Sequence, residues 1–479
     1  MNLVDLVLWL PLLGFLVTLV MPKNSAGKVA CAFACLTFGA SVFLVGGSPV
    51  TDMAWIPSLD INYRTGVDGL SIWLVVLTAL LTPLAIIASW RLDLPRTYYG
   101  LMLLLEFAVI GVFVARDLFL YYVFWELSLV PALLLIGMFG GAGRREASVK
   151  FFIYTMVGSV LMLAAMVFLY VKLGSWDYST LVARHLQLNT REALFCFLAF
   201  FAAFAIKTPI FPFHTWLADA YTAAPTPVTI LLAGVMSKMG VYSLVRYCLP
   251  LFPDAAREAA GFVAVLAIIG IVWGALIALV QPNMKRLVAY SSVSHLGFVV
   301  LGIFSFQQVG LDGAIYQMVA HGVSTGALFL LVGLLEVRRQ SLEIRDYGGV
   351  ATVAPWLTTL FLLATFTSVG LPLLANFVGE FMILQGAAMT NIVWAGVASL
   401  GVILSACYML WMVQRTFFGP VAEMVQKTVD DLRATEWAAI LPLAVLMIWL
   451  GIWTQGLMTP ISEYSSKLLG VKTVTEVRR

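Results

Sequence analysis

The sequence predicts an all-α polytopic membrane protein of about fourteen transmembrane helices, arranged around two inverted five-helix repeats. Three observations carry this. Hydrophobic residues make up 61% of the 479 and charged residues only 11%, against about 25% charged in a soluble domain. Apolar runs of roughly the twenty residues needed to cross a bilayer recur along the whole chain. Two of these runs are broken by proline or glycine, each with an ionisable residue close to the break.

In chain order, the first two spans are residues 6–20 and 29–45, followed by a long polar loop with Asp52, Asp60, Arg64 and Asp68. Spans three to six are 70–90, 99–114, 118–138 and 151–171. The seventh, 193 to about 220, is interrupted after Lys207 by Pro209 and Pro212. Each proline lacks a backbone donor and clashes with the preceding turn, so the helix must stop there. Lipid offers no partner to the freed carbonyls, so the break must face protein or water. A buried lysine at such a break is the pattern of an ion-handling site in a transporter. Spans eight to eleven are 228–248, 261–280, 287–304 and 313–335. The twelfth, 355 to about 384, is interrupted by Gly370-Leu371-Pro372, and 392–411 and 437–453 complete the set.

Spans four to eight and nine to thirteen form two units of five, each with its fourth span broken. An odd number of spans inverts the second unit relative to the first. The chain therefore divides into residues 1–98 (helices 1–3), 99–250 (first repeat), 251–418 (second repeat) and 419–479 (loop, helix 14 and tail).

An even span count puts both termini on one side. One set of loops holds Lys23, Lys28, Arg91, Arg96, Arg144, Arg145, Lys285, Arg286, Arg338, Arg339 and Arg345; the other has the sparser Arg64, Arg116, Arg184, Arg191 and Arg257. The positive-inside rule makes the richer set cytoplasmic and both termini periplasmic. The net charge of +3 is too small to imply a nucleic-acid partner. Of the five cysteines, Cys31 and Cys35 lie one turn apart with no second pair to complete a metal or iron–sulfur set, so packing is expected. No cleavable signal peptide is expected, because Asp5 precedes the first apolar run and no small-residue site follows it.

Ionisable residues at membrane depth are the candidate functional groups. Glu126 lies in span five, within Phe124-Trp125-Glu126-Leu127-Ser128, and Lys207 at the break of span seven. Lys238 is in the middle of span eight, with Gly234 and Tyr242 one turn away on either side. His295 is in span ten beside Ser291 and Ser292; His321 is in span eleven, in line with Gln317 and Thr325. Glu380 follows the second break, one turn from Asn376. Each charge at the bilayer centre costs about 2.5–3.5 kcal/mol on insertion scales. A single such residue reads equally well as a polar packing element. A series over six spans, alternating groups that gain and lose protons, reads as a proton relay. Glu106 in span four is a candidate partner. His185 and His214 are expected near a membrane surface, with no role. Neither a phosphate loop, a nucleophile triad nor a haem-ligand pair is present.

The segments Lys207-Thr-Pro-Ile-Phe-Pro-Phe-His-Thr-Trp-Leu-Ala-Asp-Ala220, Phe-Trp-Glu126, Lys285-Arg-Leu-Val-Ala-Tyr-Ser-Ser-Val-Ser-His295 and Asn376-Phe-Val-Gly-Glu380-Phe resemble the antiporter-like subunits of respiratory complex I. Most similar is the M-type family of bacterial NADH–quinone oxidoreductase, counterpart of mitochondrial NADH dehydrogenase subunit 4. The resemblance covers nearly the whole chain; Ala218-Asp219 replaces a Pro-Asp common in the family.

The resemblance implies a place in the proton-pumping membrane arm, in the bacterial inner membrane, beside L-type and N-type sister subunits. It implies that Glu126 and Lys207 form a carboxylate–lysine pair, that Lys238 is the central lysine, that His295 and His321 link the halves, and that Glu380 is the terminal carboxylate. No cofactor is expected on this chain; NADH, FMN, iron–sulfur clusters and quinone belong to partner subunits. Glu380 in place of lysine, and the lack of a long lateral helix after span fourteen, set this chain apart from its sisters. The alternatives are a subunit of a multisubunit Na⁺/H⁺ antiporter, or of a membrane-bound hydrogenase or ferredoxin-dependent relative. A purely structural spacer is the non-transporting alternative.

Overall fold

The computed structural model describes residues 2–471 apart from Ser48. Met1 and the last eight residues of the predicted C-terminal segment lie outside the described residues. Helices α1 (Leu3–Val20) and α2 (Lys23–Val42) open the chain as an antiparallel pair. A β-hairpin follows, β1 (Val50–Ile56) with β2 (Ile61–Gly66). The sequence predicts only a polar loop here. The β-branched residues Val50, Thr51, Ile56, Ile61 and Thr65 favour strands, and the buried Asp5 of α1 pins the pair by accepting from Thr51 Oγ1 (2.8 Å), Tyr63 OH (3.0 Å) and Thr65 Oγ1 (3.2 Å).

Then come α3 (Ile72–Ala88), α4 (Arg96–Val114), α5 (Leu118–Phe139) and α6 (Arg144–Leu173). The broken span is α7 (Thr190–Lys207) with the short α8 (Leu217–Ala223). Helix α9 (Thr226–Leu251) is followed by α10 (Pro253–Leu279), α11 (Met284–Phe304) and α12 (Gln308–Arg339). The second broken span is α13 (Pro355–Val369) with α14 (Ala375–Thr390). Helices α15 (Ile392–Phe417), α16 (Ala434–Ile452) and α17 (Gln455–Leu469) close the described chain.

Among the described residues, eleven helices are long and apolar enough to cross a membrane, and α3 and α13 are shorter apolar helices. The core is an axis of α9, α11 and α12, almost wholly buried, while α2, α6 and α15 turn apolar residues such as Leu36, Val157 and Ile403 outward. Both described ends of the chain lie on the face that carries the hairpin: Asp5 is bonded to it, and α17 lays Tyr464 over Arg246 beside Asp68. The opposite, basic face carries Arg91, Lys285, Arg286 and Arg338.

Candidate functional site

Both breaks fall where the sequence places them. Helix α7 stops at Lys207, and the freed carbonyls are taken up locally. Thr208 N–H donates to Phe204 O (2.8 Å), Ile210 N–H to Ala205 O (2.9 Å), and the Trp216 indole to Ile206 O (2.9 Å). This is the internal satisfaction that a break inside a membrane bundle requires. The broken end packs against α9 at Gly240, where a Cβ would stand 2.2 Å from Thr208 Oγ1 and 2.7 Å from its backbone nitrogen. Only glycine permits that approach. In the second break, Gly370 ends α13 with φ of +79° and sits against the Glu380 carboxylate.

Helix α9 is not a regular α-helix. π-helical turns at Leu232–Met236 and Leu244–Cys248 flank the α-helical segment Lys238–Ser243. In the first, Ser237 N–H donates to Leu232 O (3.1 Å), so the Ala233 carbonyl is free to accept from Lys238 Nζ at 2.5 Å. π-turns of this kind are common at functional sites; the sequence gives no sign of this one.

Four of the predicted residues form one chain of contacts. Lys238 Nζ lies 2.9 Å from His321 Nδ1. The rings of His321 and His295 are 5.3 Å apart between centroids. His295 Nδ1 lies 2.7 Å from Glu380 Oε1, which also accepts from Gln317 Nε2 at 3.0 Å. Ser368 Oγ, at 3.4 Å, approaches the other nitrogen of His295. All four residues are buried. A protonated lysine, two imidazoles and a carboxylate in contact or near contact can pass a proton by changes of tautomer and charge.

Lys207 is buried but separate. Its ammonium has no hydrogen-bond partner and lies 5.5 Å from the ring centroids of both Trp125 and Phe151. The Glu126–Lys207 pairing implied by the resemblance is not made as a direct contact: Glu126 is half-buried on α5, its Oε1 also lacks a partner, and the aromatic rings flank the lysine instead. The link from Lys207 to Lys238 is helix contact at Gly240 rather than a hydrogen bond. Glu106 is buried with both oxygens unpartnered, and does not pair with any relay residue. His185 is half-buried and bonded to Val182 O (2.6 Å), and His214 is buried within the protein with its ring against Phe211.

Charged groups that the sequence assigns to loops, or passes over, also make internal contacts, and two of them, Lys285 and Arg246, are buried. Lys285 reaches in from the basic face and donates to Ala224 O at 2.6 Å; Glu336 accepts from Thr226 Oγ1 at 2.5 Å. Asp219 ties the first break to α6 and α11 through Lys150 (2.7 Å) and Arg286 (2.9 Å). On the hairpin side, Arg246 of α9 holds Asp68 through two bonds of 2.8 and 2.7 Å, and Arg116 adds a third contact at 2.9 Å. Burial opposes the charge of Asp68, but the two guanidiniums outweigh it and hold the carboxyl below the usual range. Nothing local in the sequence signals this pair, whose members are 178 positions apart.

Among the described residues no group of three or more His, Cys, Asp or Glu is placed to hold a metal ion. Two family descriptions match the chain: "NADH:quinone oxidoreductase/Mrp antiporter, TM" over residues 115–452, and "NADH-ubiquinone oxidoreductase chain 4, amino terminus" over residues 6–112. The NADH-quinone oxidoreductase subunit M of Rhodobacter capsulatus is 42% identical, over 94% of this chain and 93% of its own. That of Rickettsia prowazekii is 38% identical over 95% and 96%. Among solved structures, a chain of respiratory complex I from Thermus thermophilus superposes with a TM-score of 0.90 at 35% identity, covering 98% of this chain and 100% of that one.

Proposed function

The chain belongs to the NADH:quinone oxidoreductase/Mrp antiporter family, as one of its M-type (chain 4) members, and on that premise we propose how it moves protons. It is a proton-translocating membrane subunit of NADH:quinone oxidoreductase and works as part of that enzyme. The observation that carries the pathway is the chain Lys238–His321–His295–Glu380. Lys207 is the donor at the first break, and its affinity for a proton is tuned by the charge of Glu126 without a direct contact. Its proton passes through water and polar side chains to Lys238, whose helix meets the first break at Gly240. His321 accepts from the Lys238 ammonium, His295 relays, and Glu380 holds the proton before release. Gln317 fixes the receiving carboxylate.

The same reading assigns the basic face to the cytoplasm and the hairpin face to the periplasm of the bacterial inner membrane. Adding α3 and the two broken pairs to the eleven long helices gives fourteen crossings, with α4–α9 and α10–α15 as the inverted repeats. The partners are the other membrane subunits, the L-type and N-type sisters among them, and NADH, FMN, iron–sulfur clusters and quinone are held elsewhere in the complex. Relatives that span nearly the whole chain are named NADH-quinone oxidoreductase subunit M, which favours this reading over a Na⁺/H⁺ antiporter or hydrogenase subunit.

The test is Lys238→Met in the intact complex, reconstituted in proteoliposomes. NADH-driven acidification should be lost although the subunit assembles; wild-type pumping refutes the relay. A C-terminal reporter active only in the cytoplasm should stay silent, and strong activity refutes the topology.

A further inference from the structure

The relay turns sideways at Lys238, along the membrane towards Glu380. The direct route to the hairpin face is not apolar. Tyr242 lies one turn beyond Lys238, with its hydroxyl bonded to Phe113 O (3.2 Å), and Ser243 Oγ meets the Tyr121 hydroxyl at 2.6 Å. These hydroxyls could carry a proton straight out, past the histidines. Arg246 stands at the end of that route. Its Nε donates to Tyr242 OH (3.2 Å), and its guanidinium is surrounded by the rings of Tyr178, Tyr242 and Tyr464 at 5.2–5.5 Å.

We propose that Arg246 is a fixed positive gate that closes the short path from Lys238 to the hairpin face and so compels protons to travel by way of the histidines to Glu380. The proposal rests on Lys238 being a proton carrier. Two guanidiniums, Arg246 and Arg116, share the single carboxylate Asp68, so the cluster keeps one net positive charge. The next carboxylates outward, Asp52 and Asp177, share the single Arg64, and their surplus negative charge sits on the half-exposed Asp52, leaving Arg246 the buried charge beside Tyr242. Arginine stays protonated where lysine or histidine would titrate, so this charge does not itself become a carrier. Excluding protons with a buried arginine beside a polar path is an established device of membrane pores. Helix α17 completes the gate: Tyr464 covers the guanidinium from the outside, and Ser465 and Ser462 anchor the helix to Asp312 and Gln308 of α12.

Eight residues at 1.5 Å rise place Arg246 roughly 12 Å from Lys238 along the helix. At that separation and an intermediate dielectric, a unit charge changes proton occupancy about tenfold. The experiment is the passive decay of an imposed pH gradient in proteoliposomes holding the intact complex, without NADH. Arg246→Gln should leak about tenfold faster than wild type. Arg246→Lys keeps the charge but loses the two-point hold on Asp68, and should stay tight. Asp68→Asn keeps the arginine charge and should also stay tight. Adding Lys238→Met to Arg246→Gln should remove the extra leak. The gate is overturned if Arg246→Gln is as tight as wild type, if the lysine variant leaks as much as the glutamine variant, or if the leak survives loss of Lys238. Should Arg246→Gln not assemble, a leaky Asp68→Asn complex overturns it. NADH-driven pumping by Lys238→Met in the same vesicles reports separately on the relay.

Discussion

The two broken helices solve one problem in opposite ways. At the first break, the Lys207 ammonium lies among Trp125 and Phe151 without a hydrogen bond. At the second, the Glu380 carboxylate is met by His295 and Gln317. A cation on aromatic faces is held by a modest, weakly directional attraction, about 0.5–2 kcal/mol. A carboxylate held by two donors is fixed in position. On the proposed pathway, Lys207 is the step that needs movement and Glu380 the step that needs geometry.

The largest effect is expected where there is no substitute group. Lys207→Ala removes the lysine that ends α7, and pumping by intact complexes should fall on the order of 100-fold, in line with the loss of a positioned proton-transfer group. Proton uptake at the wild-type rate in proteoliposomes would show that the lysine is structural.

Glu380 should respond to chemistry rather than to charge sign. Glu380→Gln keeps size and hydrogen bonding but cannot titrate, and should lower pumping about tenfold or more. Glu380→Lys retains a titratable group and should fall between glutamine and wild type at equal subunit content. A glutamine variant that pumps normally would move the terminal carrier elsewhere.

The glycines at the two breaks sharpen the comparison. Gly370→Ala imposes a left-handed conformation on an L-residue, a cost of roughly 1–2 kcal/mol, and brings a methyl to 3.0 Å from Glu380 Oε2. We expect earlier thermal inactivation together with a partial loss of pumping. Gly240→Ala drives a methyl into the Thr208 backbone, so it should impair transfer from Lys207 to Lys238 while leaving the His295–Glu380 contact intact. Equal pH dependence of residual pumping in the two variants would argue against two distinct steps.

The smallest effect belongs to Ser368→Ala. Its 3.4 Å contact with His295 is long for a hydrogen bond between neutral groups, and pumping should change by less than about twofold. A tenfold loss would make Ser368 a member of the relay.

Much of this was legible in the sequence because the membrane makes exceptions conspicuous. Pro209, Pro212 and the Gly370-Leu371-Pro372 run mark both breaks through backbone chemistry alone. Lys207, Lys238 and Glu380 stand out because ionisable groups are rare at that depth. Other features depend on partners distant in the chain or on one extra backbone residue. The hairpin hides in a polar stretch whose strands are held by Asp5, some fifty residues earlier. Lys285 and Arg338 sit at helix ends, where sequence cannot separate a loop charge from one turned inward. The gap between Glu126 and Lys207 is a matter of side-chain direction, which the sequence does not encode locally. The π-turns leave no compositional trace at all.

Those π-turns also say something about chain length. Each holds one residue more than an α-turn would, so α9 carries two insertions that its neighbours do not. Removing one residue from 232–236 would be absorbed by return to ordinary α-helix, with both flanks still in phase. The same deletion in α12 would rotate everything beyond it by about 100° and separate His321 from its neighbours. In α9 a shortened helix would still thread and pack, but Ala233 O would rejoin the backbone ladder and Lys238 would lose its backbone acceptor. Position by position, then, this helix tolerates a missing residue where it is most functional, and what it forfeits is the lysine's anchorage rather than the fold.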